Sequence, residues 1–409
     1  MRGALVLVGG LIALAAVLVL LTMPWVTPPS EAVSWRAVRF ADLAGWADDD
    51  HLAALDAFRR SCTKLDTLPD DKVIGPYGTA ADWRQPCALA VTVPAGDRSA
   101  ARKFFEASFT PLRVRRGDEE QGLFTGYYEP ELHGSRTQDA RFHVPLLARP
   151  NNMLTADLGL FKDTLKGQSI TGRVIGKTFV PYADRREIEA DIEKGLNGNT
   201  DLVPVLWVDD PVQAFFLHVQ GSGRVVLTDG TVVRVGYDAQ NGRPFTPIGR
   251  VLIRNGSLAK GSVTMQAIRG WLADHPSEAQ ALMNEDASFI FFRELEIKDA
   301  TLGPPGSQGV ALTPGRSLAV DRSVHGLGVP VWLETDSPPP EALARVPKLA
   351  RLMVAQDTGG AIKGPVRGDV FYGFGPAAEE LAGAMQAKGR MTVLVPPAVA
   401  ARVLHPPTS

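Results

Sequence analysis

The chain has 409 residues, 45% apolar and 22% charged, with 43 basic against 45 acidic side chains. That length exceeds one ordinary domain and suffices for two with sizeable cores. The near-neutral balance offers no basic surplus for nucleic acid, and 40 glycines with 31 prolines argue against a helical bundle and for short strands and turns.

After Met1 and Arg2, Ala4 to Met23 is an uncharged run long enough to span a bilayer as a helix. No convincing small-x-small cleavage site follows it, so residues 1–33 are expected to be an uncleaved signal anchor plus a Pro-rich linker. A cleaved signal peptide is the alternative. No cysteine lies near the run, which excludes a lipoprotein anchor, and the bulk of the chain is expected outside the cytoplasm. The only cysteines are Cys62 and Cys87. An export signal favours a disulfide between them over two buried thiols.

Helical spacing of Leu52, Leu55 and Phe58 predicts a helix from Asp48 to Cys62, and a second is predicted over Ser99 to Phe109. The texture then turns aromatic and β-prone in GLFTGYYEPELHGS, Gly122 to Ser135. The middle reads mostly as strands, interrupted by a charged helix, ADRREIEADIEKG, that Gly195 closes. Arg224 to Tyr237 is a predicted hairpin around Asp229-Gly230. TMQAIRGWLADHPSEAQALMNE predicts two short helices broken at His275-Pro276, and Ser288 to Leu295 a buried strand. Strands recur in 309–335 and 347–357. Pro376 to Gly389 is predicted as a helix, and Arg390 to Pro396 as a closing strand.

No HExxH or CxxC spacing supports a metal site. QGSGR, Gln220 to Arg224, lacks the phosphate-loop pattern and is one residue too tight for a serine-nucleophile elbow. His218 reads as a structurally satisfied histidine. What remains is carboxylates beside aromatic and glycine-rich turns, a combination suited to carbohydrate. Tyr127, Tyr128, Glu129 and Gln220 are candidates to line such a groove, although strand aromatics are more often core. In VAQDTGGAIKGPVRGDVFYGFG, Val354 to Gly375, Asp357 and Asp369 sit where apolar runs meet glycine-rich turns. Turn chemistry explains such aspartates; so does a carboxyl kept in an apolar setting to donate a proton.

TGYYEP (Thr125–Pro130), DDPVQAFFLHVQGSGRV (Asp209–Val225), GYDAQNGRPFTPIGR (Gly236–Arg250), LTPGRSLAVDRSVHGLGVPVW and AQDTGGAIKGPVRGDVFYGFG together resemble the membrane-bound lytic murein transglycosylase A family, whose C-terminal part is a three-aspartate domain. The resemblance runs from about Gly122 to Val395. It implies a mainly β fold: a double-psi β-barrel with a second β-rich domain inserted in it, a groove between them and few peripheral helices. The barrel would comprise 34–135 and 289–400, the insert 136–288, and 401–409 a tail. It implies a carbon–oxygen lyase of the cell envelope that needs no cofactor or metal. The enzyme cuts the β-1,4 bond between N-acetylmuramic acid and N-acetylglucosamine in peptidoglycan and leaves a 1,6-anhydromuramoyl end. Unlike lipoprotein members, this chain carries an apparent signal anchor.

The family's three aspartates fall on Asp321, Asp357 and Asp369, with Asp369 at the position of the single catalytic acid. The candidate substrate-binding set is Tyr127, Tyr128, Glu129, Gln220, Gly221, Ser222, Gly223 and Lys363. Ordinary glycosidases need two carboxyls. Here Asp369 would protonate the glycosidic oxygen and then, as carboxylate, take the proton of the sugar's own C6 hydroxyl as it closes on C1. Apolar neighbours and a nearby ionised aspartate would raise its pKa, whereas Lys363 would oppose the rise if it points inward. A hydrolase using two of the aspartates and a non-catalytic glycan-binding envelope protein remain alternative readings.

Overall fold

A computed structural model describes residues 33–196, 201–260, 262–336 and 348–405. The expected anchor at 4–23 and the last residues of the tail lie outside them. Among the described residues no helix is long and apolar enough to cross a membrane.

The described chain opens with β1 (Val33–Ala37) and a helical layer: α1 (His51–Leu65), α2 (Ala80–Ala90) and α3 (Arg98–Ser108). Asp50 starts α1 by accepting from the Ala53 amide at 3.4 Å, two residues later than the spacing suggests, and the helix runs on past Cys62 to Leu65. Asp97 starts α3 in the same way through Ala100. Phe58 packs with Trp83, Phe104, Phe105 and Phe109 at centroid separations of 5.7 to 6.5 Å, a range in which tilted and edge-on rings attract. Cys62 and Cys87 form a disulfide that ties α1 to α2.

The chain continues as β2 (Thr110–Arg116), which pairs with β1 outside the closed ring, then enters the barrel as β3 (Gly122–Glu129) and leaves it at once for the insert. The insert contains β4 (Glu131–Ser135), β5 (Val144–Leu147), β6 (Leu154–Asp157), β7 (Ser169–Ile175), β8 (Thr178–Pro181), α4 (Arg185–Glu193) and β9 (Pro204–Val208). It continues with α5 (Pro211–Gln220), β10 (Ser222–Leu227), β11 (Val232–Gln240), α6 (Ile248–Arg254), α7 (Met265–Asp274), α8 (Pro276–Met283) and β12 (Ile290–Leu295). One sheet runs β12-β11-β10-β4-β9-β5 and a smaller one β6-β7-β8. The first and last strands of the larger sheet's sequence, β4 and β12, pair within it although the boundaries 136 and 288 leave both outside. The β10–β11 hairpin turns at Asp229-Gly230, where Gly230 has φ of +83°. α5 replaces the strand-like reading of PVQAFFLHVQ: Asp210 caps it, Pro211 opens it, and Gly221 closes it with φ of +80°.

Back in the barrel come β13 (Ser317–Val320), β14 (Pro330–Asp336), β15 (Lys348–Asp357), β16 (Arg367–Phe374), α9 (Pro376–Ala384) and β17 (Gln386–Val395), followed by α10 (Pro397–Leu404). Six strands close a ring, β17-β14-β15-β13-β16-β3 and back to β17. Two of its pairs are parallel, β13 with β15 and β16 with β3. This is the double-psi barrel. The predicted helix over 376–389 stops at Ala384, because Gln386 to Gly389 are needed as strand: they pair with Thr125 to Gly122 and close the ring. At that seam a Cβ on Gly122 would lie 1.6 Å from the Val366 carbonyl oxygen, so only glycine fits.

The helical layer is pegged to the barrel by buried polar bonds. Asp49 accepts from the Arg316 guanidinium at 2.7 and 3.0 Å and from the Leu352 amide. Gln356, fully buried on β15, donates to the Ala57 carbonyl and to Ser61, and accepts from Ser317. The disulfide closes a separation of 25 residues within this layer. Loop-closure entropy assigns it about 3 kcal/mol. Replacing both cysteines by serine is therefore expected to lower stability by about that amount, read as a loss in denaturant midpoint under non-reducing conditions; an unchanged midpoint would refute it.

Candidate active site

The three aspartates come together through strand register. Ala319 of β13 stands opposite Asp357 of β15 on one side and opposite Asp369 of β16 on the other. The two acids are thus level, with one strand between them, about 10 Å apart at Cα by sheet spacing. Asp321 lies two residues beyond Ala319. Next to β16, β3 places Thr125 opposite Asp369 and Tyr127 opposite Phe371.

The three carboxyls have different surroundings. Asp321 is buried and accepts from the Ser323 amide and hydroxyl at 3.0 and 2.7 Å and from the Gly364 amide at 2.8 Å. Burial pushes its pKa up, but these donors and the nearby Lys363 charge outweigh that and hold it below the usual carboxylate range. The Gly364 donor is itself held in place: His325 bridges the Tyr77 hydroxyl and the Pro365 carbonyl. Asp357 accepts from the Ser307 amide and hydroxyl and the Thr358 amide on one oxygen, and from the Tyr127 hydroxyl at 2.9 Å on the other. The Tyr127 phenol is pushed well above its ordinary range by burial and by the Asp357 charge, so it stays a donor.

Asp369 has one protein partner among the described residues, the Thr125 hydroxyl, 2.6 Å from Oδ1. Its pKa is raised. Burial is the main cause and the Asp357 charge adds to it, against opposing pulls from Arg367 and the Thr125 bond. Two carboxyls in one site, one surrounded by fixed donors and one pushed toward the acid form, make a pattern suited to acid–base chemistry.

The other candidates separate. Tyr127 is half-buried at the site. Gln220 reaches the same strand, accepting from the Tyr128 amide at 3.3 Å; Gly221 and Ser222 beside it are partly exposed. Tyr128 is only 2% exposed, packed under α9 with its hydroxyl bonded by Arg269, and is a core residue. Gly223 is buried, and a Cβ there would lie 2.5 Å from Leu217, so it serves packing. Glu129 leaves the substrate-binding set as well. It has no exposed surface, and both its oxygens are taken by Arg224 at 3.0 Å and Arg234 at 2.5 and 3.1 Å. Lys363 is exposed, and its charge acts on Asp321 rather than on Asp369. His218 is buried and neutral, its Nδ1 accepting from the Ile290 amide.

Thr125, Arg367 and Ser307 were missed. TGYYEP displays Thr125 openly, but its contact with Asp369 spans 244 residues. Only the parallel pairing of β3 with β16 makes it visible.

The Glu129 cluster joins the two domains. Glu129 ends β3, whereas Arg224 and Arg234 belong to the insert's β10 and β11. Both arginines also donate to the Leu302 carbonyl, on the segment that returns to the barrel. The Arg224 guanidinium lies 3.4 Å from the centroid of Phe374, at the end of β16. On the facing side, Arg269 of α7 pairs with Glu379 of α9.

A family model for the MltA specific insert domain matches residues 123–293, and one for the 3D domain matches 316–395. The crystal structure of a membrane-bound lytic murein transglycosylase from Agrobacterium tumefaciens is 36% identical, covers 90% of this chain and 99% of its own, and superposes with a TM-score of 0.78. The chain belongs to the membrane-bound lytic murein transglycosylase A family. MltA from Neisseria gonorrhoeae, at 32% identity, covers 89% of this chain and 93% of its own with a TM-score of 0.72. The curated Escherichia coli K12 membrane-bound lytic murein transglycosylase A is 30% identical over 274 residues, 66% of this chain and 65% of its own length. The chain thus spans just under two thirds of the length of the curated relatives it matches. The MltA specific insert match starts within β3, which ends in Glu129, and ends within β12, which pairs with the strand carrying Arg234.

Removing one member of a buried ion cluster strands the others without a partner and costs about 3–5 kcal/mol. Glu129→Ala is expected to lower unfolding stability by that amount, measured by denaturant titration. A loss below about 1 kcal/mol would show that the cluster does not hold the domains.

Proposed function

We propose that the protein is a lytic transglycosylase of the cell envelope that cleaves the β-1,4 bond between N-acetylmuramic acid and N-acetylglucosamine, with Asp369 as acid and then base. The observation that carries this reading is the contrast between Asp369 and its two neighbours. Asp357 and Asp321 are occupied by fixed donors on both oxygens, whereas Asp369 Oδ2 makes no hydrogen bond among the described residues.

The mechanism follows from that contrast. Protonated Asp369 donates to the glycosidic oxygen, the bond from that oxygen to C1 of the muramoyl sugar breaks, and positive charge develops at C1 and the ring oxygen. The Asp357 carboxylate, locked by Ser307, Thr358 and Tyr127, supplies a fixed negative potential without needing to move. The Asp369 carboxylate then takes the proton of the C6 hydroxyl while O6 bonds to C1. The attack is intramolecular and has a high effective concentration, so water does not compete. Tyr127 stands beside both acids, its hydroxyl on Asp357 and its ring 5.2 Å from Phe371, which supports a role in lining the sugar site.

A hydrolase would need a second carboxylate free to act as nucleophile or base. Asp357 is the only other half-buried acid of the three, and its bound donors argue against that role. The apolar run at 4–23 would tether the enzyme to the membrane, with glycan strands as its substrate.

Asp369→Asn in the full chain is expected to reduce release of anhydro-muropeptides from purified sacculi by at least about a hundredfold, the lower range for general acid–base catalysis, with glycan binding retained. Products are identified by mass, since anhydro ends are one water lighter than reducing ends; reducing ends as the main product would establish the hydrolase instead. The pH profile carries a second test. Asp369 must be protonated to act, so activity falls as pH rises through its pKa, and the Asp357 charge raises that pKa. Asp357→Asn is therefore expected to move the basic limb to lower pH. A limb that stays in place or moves upward would show that Asp357 does not act on the acid.

A further inference from the structure

A carboxylic acid can carry its proton on either oxygen, and the two oxygens of Asp369 have different surroundings. Resting on that reading, we propose that Arg367 is a positioning residue: it locks the Thr125 hydroxyl onto Asp369 Oδ1 and thereby assigns the transferable proton to Oδ2.

The geometry is a chain of three side chains. Residues two apart on a strand share a face, so Arg367 and Asp369 project from β16 on the same side, about 7 Å apart. Thr125, opposite Asp369 on β3, stands between them. Arg367 Nη2 lies 2.9 Å from Thr125 Oγ1, and Oγ1 lies 2.6 Å from Asp369 Oδ1. A guanidinium has donors only, so Thr125 is the acceptor in the first contact. Its hydroxyl carries one proton, and that proton goes to Oδ1. Oδ1 is then an acceptor in both protonation states. When Asp369 is protonated the acid hydrogen resides on Oδ2, the oxygen without a protein partner among the described residues.

The arginine is itself fixed. Its Nη1 donates to the Gly368 carbonyl and reaches the Leu123 carbonyl at 3.4 Å, so its head group is tied to the two strands that carry the acid and its hydroxyl partner. It is half-buried, where its charge is poorly screened from Asp369.

The arrangement suits a group that must give a proton and then take one. Burial and the Asp357 charge push Asp369 toward the acid form, while Arg367 and Thr125 favour the carboxylate. A carboxyl pushed up without restraint would hold its proton too tightly to donate it; opposed forces bring donor and acceptor strength closer together. The charged and titratable groups that face Asp369 are Arg367 from its own strand, Tyr127 from β3 and Asp357 from β15; β13 offers Ala319 at this level. The step balances through one oxygen. Oδ2–H breaks as the leaving oxygen gains its proton and its bond to C1 breaks. Oδ2–H re-forms as the C6 hydroxyl loses its proton and O6 bonds to C1. No water is consumed.

The test uses the full chain with Thr125→Val, Thr125→Ser, Arg367→Gln and Arg367→Lys alongside Asp369→Asn, following anhydro-muropeptide release against pH. Thr125→Val and Arg367→Gln are each expected to lower kcat about ten- to a hundredfold, within the range for a misplaced catalytic group, at unchanged KM. In both, the basic limb should move to higher pH, because each loses a feature that favoured the carboxylate. Thr125→Ser should restore kcat and limb together, and Arg367→Lys should return the limb toward the parent position while recovering kcat only in part. Should Thr125→Val fail to fold, Arg367→Gln and its lysine counterpart carry the test. An inactive Asp369→Asn beside Thr125 and Arg367 variants with unmoved limbs would overturn the proposal and leave the acid assignment standing. An active Asp369→Asn would remove that assignment itself.

Discussion

Arg224 and Arg234 of the insert close on Glu129 at the last position of β3, and the placement of the candidate site depends on this contact. Side chains alternate along a strand, so Thr125, Tyr127 and Glu129 lie in one row. The first bonds Asp369, the second bonds Asp357, and the third is gripped by the second domain. Arg224 also covers Phe374, where β16 ends. Both strands that hold the acid are therefore terminated by the same guanidinium. Burying three charges is expensive, and an apolar cluster of equal volume often holds two surfaces together as well. What an ion cluster adds is direction: Arg234 donates to the carboxylate through two nitrogens and Arg224 through one, which few orientations allow. The cluster thus ties the insert to the end of the same strand whose Thr125 and Tyr127 bond the two acids.

Much of the fold was legible where local chemistry acts alone. Asp50 and Asp97 cap their helices, His275-Pro276 divides α7 from α8, and Asp229-Gly230 turns the hairpin because only a glycine-bearing turn permits the required φ. Even α5 carried every local mark, from the Asp210 cap through Pro211 to Gly221; the apolar density of AFFLHV and the surrounding strands concealed it. The end of α9 was not legible in the same way. MQAKG continues a helical pattern, and only the unpaired edge of β3 explains why Gln386 to Gly389 become strand. Tertiary demand overrode propensity at the place where the barrel closes.

The candidate site divides along the same line. Asp369 and Asp357 stood out because a carboxylate among Val, Phe, Tyr and Gly is locally unusual. Glu129 stood out too, as an acid behind two tyrosines, and its burial between two arginines from another domain has no local signature. A sequence reading cannot separate an acid facing a groove from one facing a clamp without knowing which strands meet. Thr125 and Arg367 escaped for the opposite reason: each is an ordinary residue that gains a role only when β3 and β16 run side by side.

A single carboxyl that serves twice is constrained more tightly than a pair that divides the work. In a pair, one group is held as acid and the other as base, and each environment is set separately. A lone group needs an environment that favours neither form strongly, yet the cleft that excludes water strongly favours the neutral one. The surroundings of Asp369 meet this with contributions of opposite sign, a buried wall and an anion on one side, a cation and a hydroxyl on the other. Those four contributions come from β16, β15 and β3, three strands whose mutual register is fixed by the closed ring. Barrel closure and acid–base balance are in this sense one requirement: a one-residue slip of β3 would turn Thr125 away from Asp369, Tyr127 away from Asp357, and Glu129 away from the arginines that hold the second domain.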